Sequence, residues 1–322
     1  MSNKSVSVVM ITFGHEKYIE EAINGVLIQE CDFDVELIIA DDNSPDNTEV
    51  IVSNLIKNIP DKCRVKYTKH DMNMGMMANF NWALDQAQGK YIALCEGDDY
   101  WTDPYKLQKQ VDFLEANEDY GLVSTLRSNY NQKTKQLTIP KIKNSQNYDS
   151  YNFEDILLGK GTIATLTTMF RKILLDEYLN ILSQYPGELS SMDYCLWMFF
   201  SYKMKVAVLN INTAVYRILP NSASHGCNEK KWNLKKRYYN DFKFYTKYII
   251  TIDKDILKKA EYLRAKGYFV LALKSNDLQS VYEFLRIFKL NNDYFNFYLL
   301  KTIVKFSFLK YPFFLAQKMR FI

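Results

Sequence analysis

Over its first hundred residues the hydrophobic period keeps switching between that of a strand and that of a helix, and nothing else in the chain constrains its fold as strongly. "SVSVVMIT" is a β-branched run of the kind buried on both faces of a sheet. "HEKYIEEAINGVLIQE" follows, with Ile19, Ile23, Val26 and Leu27 on one helical face. "VELIIA" predicts a second strand, and Ile51, Leu55 and Ile59 form a second helical stripe. "RVKYTK" predicts a short third strand. A third helix carries Met77, Phe80, Leu84 and Ala87 and is expected to stop at Gly89, and "KYIALC" is a fourth strand. Such alternation requires crossovers onto a mostly parallel sheet with helices on both faces: a doubly wound, Rossmann-like α/β domain.

In sheets of this kind ligands bind beyond the carboxyl ends of the strands. The acid-rich pieces fall there. "VELIIA" runs into Asp41-Asp42-Asn43-Ser44, and "KYIALC" into Glu96-Gly97-Asp98-Asp99. Asp103 and Pro104 then read as N-cap and first residue of a helix whose Leu107, Val111 and Leu114 face the core. Two readings of Glu96 to Asp99 stand side by side. One is a solvated turn. The other is a seat for a hard divalent cation shared between carboxylates and a substrate diphosphate.

Further along, "YGLVSTLRSNY" and "TIATLTTMFR" read as strands separated by a polar loop through "KIKNSQNYDSYN". Helices are expected at 172–184 and from "SMDYCLWMFFSYK", and "KVAVLN" and "TAVYRIL" as two later strands. From about residue 226 the pattern becomes helical and rich in Lys, Tyr and Phe. The expected organisation is a catalytic domain over 1–225 and a basic, aromatic-rich helical extension over 226–322.

The chain has 322 residues, 48% hydrophobic and 24% charged, which is the profile of a globular protein and not a disordered one. Its net charge of +4 hides an asymmetry: residues 226–322 carry 20 Lys and Arg against 8 Asp and Glu, so the excess of acid lies before them. Five cysteines stand singly, without the spacing of a zinc cluster or a disulfide framework, which fits a reducing compartment. "MSNKSVSVVMITFG" lacks a secretory core and "VSVVMIT" is too short to span a bilayer, so a cytoplasmic location is expected.

The pieces "VSVVMITFGHEKYIEEAINGVLIQ", "VELIIADDNSPDNT", "NMGMMANFNWALDQAQGKYIALCEGDDYWTDPYKLQKQVDFLE" and "SSMDYCLWMFF" resemble, in order and spacing, the inverting family 2 glycosyltransferases. The likeness covers residues 1–125 well and extends more loosely to about 225. It implies a GT-A fold and transfer of a sugar from a nucleoside-diphosphate donor, most often a UDP-sugar, to a glycan or lipid-linked hydroxyl in assembly of a bacterial surface polysaccharide. On that resemblance Asp41 and Asp42 help recognise the nucleotide, with Asp42 favoured as the base contact. Asp98 touches the ribose or a metal-bound water, and Asp99 coordinates Mn²⁺ or Mg²⁺. Glu96 stands where the family often has Asp. Asp193, at the start of a predicted helix, falls where the family keeps its general base; read by itself it is a helix-terminal charge. Thr12 and Phe13 end the first strand where the family contacts the nucleotide, Asn81 is assigned to the nucleotide with them, and Asn73 and Gly75 match family positions before the third helix, where Gly75 allows an unusual backbone turn. His225 sits near a position that binds diphosphate or metal in related enzymes, and Arg217 is a second candidate for the phosphates. Trp101 reads equally as acceptor wall or core, and His15 and His70 as solvated residues.

For the basic tail, peripheral contact with the cytoplasmic face of an anionic inner membrane and an ordinary helical cap are both open readings. No nucleic-acid-binding module is present in the sequence, and no nucleic-acid partner is expected. A nucleotidyltransferase would share the sheet and the metal, but it calls for a Gly/Arg-rich phosphate loop after the first strand, and "TFGHEKY" is not one. A non-catalytic membrane-associated protein would leave the carboxylate clusters without a task.

Overall fold

The computed structural model describes residues 5–59, 63–142, 147–161, 163–185, 193–220 and 227–290. The chain divides into two compact units, Met1–Ser222 and Ala223–Ile322.

The first unit is built on one ten-stranded sheet. Its first half alternates as expected: β1 (Ser5–Thr12), α1 (Ile19–Leu27), β2 (Asp34–Asp41), α2 (Thr48–Leu55), β3 (Cys63–Lys69), α3 (Met76–Asp85), β4 (Tyr91–Leu94). There follow β5 (Tyr100–Trp101), α4 (Lys106–Ala116), β6 (Tyr120–Asn131), β7 (Gln136–Thr138), β8 (Tyr148–Tyr151), α5 (Phe153–Leu157), β9 (Met169–Arg171), α6 (Lys172–Ser183), α7 (Tyr194–Lys203) and β10 (Lys205–Ile218). The main path runs β3-β2-β1-β4-β9-β6-β10-β5. Strands β1 to β4 are parallel to their neighbours within that group. β9 is antiparallel to both β4 and β6, and β10 again runs parallel to β6. The six parallel strands β1, β2, β3, β4, β6 and β10 therefore end on one side, as in the doubly wound sheet the sequence predicts. Val8, Met10, Leu37, Ile39 and Ala93 pack with Ile19, Ile23, Val52, Leu107 and Val111 into a core from which water is excluded.

The second half departs from the sequence reading in four places. "KVAVLN" and "TAVYRIL" form one strand, β10, whose pairing with β6 shifts register between Leu209 and Ala214. That irregularity absorbs the polar Asn210–Thr213 break which the sequence shows as a gap. Among the described residues of the "TIATLTTMFR" stretch only the last three form a strand, and Thr165–Thr167 form a 3₁₀ turn. The loop expected through "KIKNSQNYDSYN" contains β8, paired with β10, and leads into α5, which Asn152 and Asp155 close with a capping box. Asp103 does not cap α4 directly: its carboxylate accepts the Tyr105 N–H at 2.9 Å, one turn ahead of a helix that begins at Lys106.

Gly89 likewise does something other than end α3, which stops at Asp85. A Cβ at Gly89 would stand 2.5 Å from the Ser7 nitrogen, so only glycine lets this segment lie against β1.

The second unit holds α8 (Asn228–Tyr248), α9 (Lys254–Lys274) and α10 (Leu278–Leu290). Trp232, Tyr239, Phe242, Phe269, Phe284 and Phe288 fill its interior. Part of its positive charge is paired internally, Lys236 with Asp277 at 2.6 Å and Lys243 with Glu283 at 3.0 Å. Among the described residues no helix is long and apolar enough to cross a membrane. The aromatic stretch "LKYPFFLAQKMRFI" lies outside the described residues.

Candidate active site

At the carboxyl edge of the sheet the turns after β1 and β2 are tied together. Gly14, at φ +71°, donates its N–H to Ser44 Oγ at 2.9 Å, and His15 N–H reaches Thr48 Oγ1 at 3.1 Å. Glu16 N–H donates to Asp46 Oδ2 at 3.0 Å. Burial works against the Asp46 charge, but hydrogen bonds from Thr48 and Glu16 outweigh it and hold the carboxyl below its ordinary range.

Thr12 is buried, with Oγ1 3.1 Å from His15 Nδ1. Phe13, next along, is 48% exposed and so not a core residue. Asp41 is wholly buried and accepts from Ser44 N–H and from Tyr67 O–H, each at 2.8 Å. Asp42 lies nearer the surface of the same turn, though only 3% exposed, and its two oxygens accept the N–H groups of Met74 and Gly75 at 2.7 and 3.0 Å. Asn73 Nδ2 donates to the Asp42 carbonyl at 3.2 Å, and Gly75 takes φ +88° to start α3. The aspartate pair therefore moulds the rim: Asp41 holds its own turn, and Asp42 holds the loop before α3.

Asn81 is half-buried on α3. The helix amide that reaches the strand ends is Asn79, which donates to the Ala40 carbonyl at 3.0 Å and bonds His70 Nε2 at 2.9 Å. His15 and His70 are accordingly bonded parts of the rim and not free surface side chains.

The acidic turn packs directly against the end of β1. A Cβ on Gly97 would stand 2.8 Å from Thr12 Oγ1 and 3.0 Å from His15 Nδ1, so glycine permits this approach. Glu96 and Asp98 are half-buried and Asp99 is 2% exposed. Glu96 Oε2 is sealed off without a hydrogen-bond partner. Burial, and then the neighbouring charge of Asp98, push the Glu96 carboxyl up to about 8; Asp193 adds to the rise and Arg127 opposes it. Burial and the charges of Asp98 and Glu96 likewise push Asp99 well above the usual carboxylate range.

Two arginines answer this crowding. Arg217, on β10, is 5% exposed. Its main-chain N–H donates to Asp99 Oδ1 at 2.7 Å, and its Nη1 to the Asp98 carbonyl at 2.6 Å. Its Nη2 pairs with Glu21 of α1, and the guanidinium lies over the rings of Tyr18 and Tyr100. Arg217 is thus a brace for the acidic turn. Arg127, on β6, stacks on Tyr216 with 4.2 Å to the ring centroid and pulls against the carboxyl shifts of both Glu96 and Asp99.

Asp193 precedes α7 and makes no side-chain cap to it, so helix capping is not its task. Instead Thr165 Oγ1 donates to its Oδ2 at 2.9 Å, and its charge is felt at Glu96. Asp193, bonded to Thr165, thus lies within electrostatic reach of Glu96. His225 lies outside the described residues. Trp101 is 2% exposed with its Nε1 donating to the Leu166 carbonyl at 2.7 Å, which makes it core.

Among the described residues no three His, Cys, Asp or Glu side chains converge as a self-sufficient metal cage. The orphaned Glu96 oxygen and the raised carboxyls of Glu96 and Asp99 nevertheless suit a hard divalent cation that completes its shell with phosphate and water.

Arg127, Glu21 and Thr165 were not legible as site residues in the sequence. Each is an isolated polar residue in a segment that reads as strand, helix or turn, and only the pairing of distant strands brings it to the acids.

Comparison with known proteins bears on the family and the fold. The family model described as "Glycosyl transferase family 2" matches residues 7–179. The chain spans 58% of the length of the first curated relatives it matches, uncharacterized mycobacterial proteins 34% identical over 213 residues and covering 66% of this chain. It is 27% identical over 279 residues to the GalNAc(5)-diNAcBac-PP-undecaprenol beta-1,3-glucosyltransferase of Campylobacter jejuni, covering 84% of each chain. Among solved structures it is similar to S. aureus TarS 1-349 in complex with UDP-GlcNAc, with a TM-score of 0.60, 19% identity and coverage of 84% of this chain and 73% of the other. It is also similar to the mannosyltransferase PcManGT from Pyrobaculum calidifontis in complex with GDP-Man and Mn²⁺, with a TM-score of 0.59, 17% identity and coverage of 95% and 81%.

Proposed function

Because this chain belongs to glycosyl transferase family 2, we propose that it transfers a sugar with inversion from a nucleoside-diphosphate donor to a hydroxyl of a growing bacterial surface glycan. Its fold is that of the GT-A glycosyltransferases. What supports the reading is the buried acidic turn at the carboxyl edge of the sheet with Asp193, bonded to Thr165, within electrostatic reach of Glu96, since inversion needs a base beside the acceptor hydroxyl, on the face of the anomeric carbon opposite the departing diphosphate.

In this reading the exposed ring of Phe13 offers a stacking face for the base, beside the rim that Thr12, Asp41 and Asp42 shape. Asn81 lies on the helix that begins at this rim and is assigned with them to the nucleotide. Asp98 and Asp99 would hold Mn²⁺ or Mg²⁺, with Glu96 in their immediate surroundings. When bound, the cation supplies charge neutralisation for the diphosphate leaving group. The acceptor hydroxyl gives its proton to Asp193 as its oxygen forms the new bond to the anomeric carbon, and the bond from that carbon to the diphosphate breaks. Thr165 fixes the carboxylate's orientation. A UDP-sugar is the favoured donor, and a lipid-linked glycan the favoured acceptor on the precedent of the Campylobacter relative.

The direct test is a hydrolysis screen of UDP-, GDP- and dTDP-sugars with Mn²⁺, which needs no acceptor. Turnover of one donor class, lost in Asp99→Ala, is expected. No turnover and no nucleotide binding with any donor would overturn the assignment.

A further inference from the structure

The turn that joins β6 to β7 is well ordered. Asn131 Oδ1 accepts the N–H groups of Lys133 and Thr134, both at 3.0 Å, and the Asn131 carbonyl accepts Lys135 N–H at 2.7 Å. Lys135 takes the left-handed φ of 59° that closes the turn. Three rungs follow, Asn129 with Thr138, Tyr130 with Leu137 and Asn131 with Gln136.

Order here comes without burial. Every residue from Lys133 to Ile139 is exposed, as are Lys141 and Ile142. Leu137 is 51% exposed, Ile139 64% and Ile142 50%. Single exposed aliphatic residues need no explanation, but three within six positions of one projecting hairpin do. Protection of an edge strand does not supply one, because lysines alone would serve that end.

Charge gives the second, independent observation. From Tyr120 to Tyr148 the sequence contains no Asp or Glu, whereas Arg127, Lys133, Lys135, Lys141 and Lys143 are basic. Exposed aliphatic side chains among lysines, with no acid to repel a negative surface, complement an anionic bilayer: the alkyl groups enter the interface and the ammonium groups meet the headgroups.

Position ties this surface to the site. The hairpin continues β6 beyond Arg127, and Tyr130 is in register with Arg217, whose main-chain N–H donates to Asp99 Oδ1 at 2.7 Å. Four residues of strand, about 13 Å, separate Arg127 from the turn. The hairpin thus leaves the sheet at the end where the acidic turn lies.

We propose that the 131–142 hairpin docks the chain on an anionic lipid surface through Leu137, Ile139, Ile142, Lys133, Lys135 and Lys141. That this brings a membrane-borne acceptor to Asp193 rests on the glycosyl transfer assigned above; the docking itself does not.

The test is co-sedimentation of the full chain with phosphatidylcholine vesicles, with and without phosphatidylglycerol. Wild-type protein should pellet with the anionic vesicles only. The triple variant Leu137→Ser/Ile139→Ser/Ile142→Ser and the triple variant Lys133→Gln/Lys135→Gln/Lys141→Gln should each bind at least about tenfold more weakly. Hydrolysis of a soluble nucleotide sugar should be unchanged in both, which also shows that they fold. Failure of wild type to pellet, or equal pelleting of variants and wild type, overturns the docking. Association of the protein with itself that the serine variant abolishes, without vesicle binding, would assign the hairpin to a second copy and overturn it too. Absence of hydrolysis in a wild type that still pellets would count against the sugar-transfer reading alone.

Discussion

The main-chain N–H of Arg217 donates to Asp99 Oδ1 at 2.7 Å across 118 positions of sequence. The same residue's guanidinium grips the Asp98 carbonyl, so one residue of β10 holds the acidic turn at two points, once by its main chain and once by its side chain. The turn's shape therefore depends on the pairing of β10 with β6 and β5, not only on its own residues.

Arg217→Lys tests this brace. Lysine keeps the charge but loses the planar fork and the flat face that lies over Tyr18 and Tyr100. Glu21, its ion-pair partner, is largely solvated, so the main loss is the buried hydrogen bond to Asp98. A loss of about 1–3 kcal/mol in urea denaturation is expected. Manganese-dependent UDP binding by calorimetry should weaken in parallel. Wild-type values in both measurements would show that the acidic turn holds its shape without the guanidinium.

The proposed transfer makes Asp193 the base and Thr165 its positioning residue, and two substitutions separate these roles. Asp193→Asn should lower transfer by about 10²–10⁴-fold while leaving donor affinity intact. Thr165→Val removes one hydrogen bond to the carboxylate, a change of about 1–1.5 kcal/mol, or roughly tenfold in kcat at unchanged donor KM. Thr165→Ser should restore most of it. A Thr165→Ser variant as slow as Thr165→Val would mean that the methyl packing, not the hydroxyl, matters.

These residues also mark where sequence reading stops. The sheet's first half was legible because each crossover writes its own local pattern: β-branched run, amphipathic stripe, acidic turn. Asp41, Asp42 and the 96–99 cluster were legible for the same reason, since they sit at strand ends that the pattern fixes. Arg217 was legible as a residue type that suits phosphates, but its contacts with Glu21, Tyr18 and Asp98 were not, because those come from segments about 120 to 200 positions away. Thr165 was invisible, being one threonine in "TIATLTTMFR", a run whose β propensity predicts a strand where a 3₁₀ turn forms. β10 was divided in two because a polar bulge inside a long strand looks like a loop.

The acid cluster predicts how pH and metal act together. Unfolded, a glutamate loses its proton near 4.5, whereas folded Glu96 keeps its proton up to about 8. Between those values the folded state binds more protons, so this group's contribution to stability falls as pH rises, by up to about 1.4 kcal/mol per pH unit. In chelator, Glu96→Gln should remove that part of the decline. Mn²⁺ with UDP should raise the Tm more at pH 8 than at pH 5, and Asp99→Ala should abolish the rise. Equal stabilisation of wild type and Asp99→Ala would move the cation elsewhere.

Lys106 gives the opposite slope from a different part of the core. It is wholly buried, donates to Gln110 Oε1 at 2.7 Å and lies 3.9 Å from the Trp101 ring centroid. Burial lowers its pKa from 10.5 to about 7, against small opposing effects of Cys95 and Asp103. Below about pH 7 both folded and unfolded chains carry the charge, and the folded state bears its full desolvation. Between about 7 and 10.5 the unfolded chain binds the extra proton, so this contribution to stability rises with pH. Lys106→Met lacks the titration and differs little in volume. Urea denaturation at pH 7, 8 and 9 should therefore show wild type gaining on the variant by up to about 1.4 kcal/mol per unit. Comparing the two chains cancels the buried cysteines and tyrosines that titrate in both. A gap that stays constant with pH would mean that the ammonium remains charged in the core, with the Trp101 face and Gln110 replacing its water.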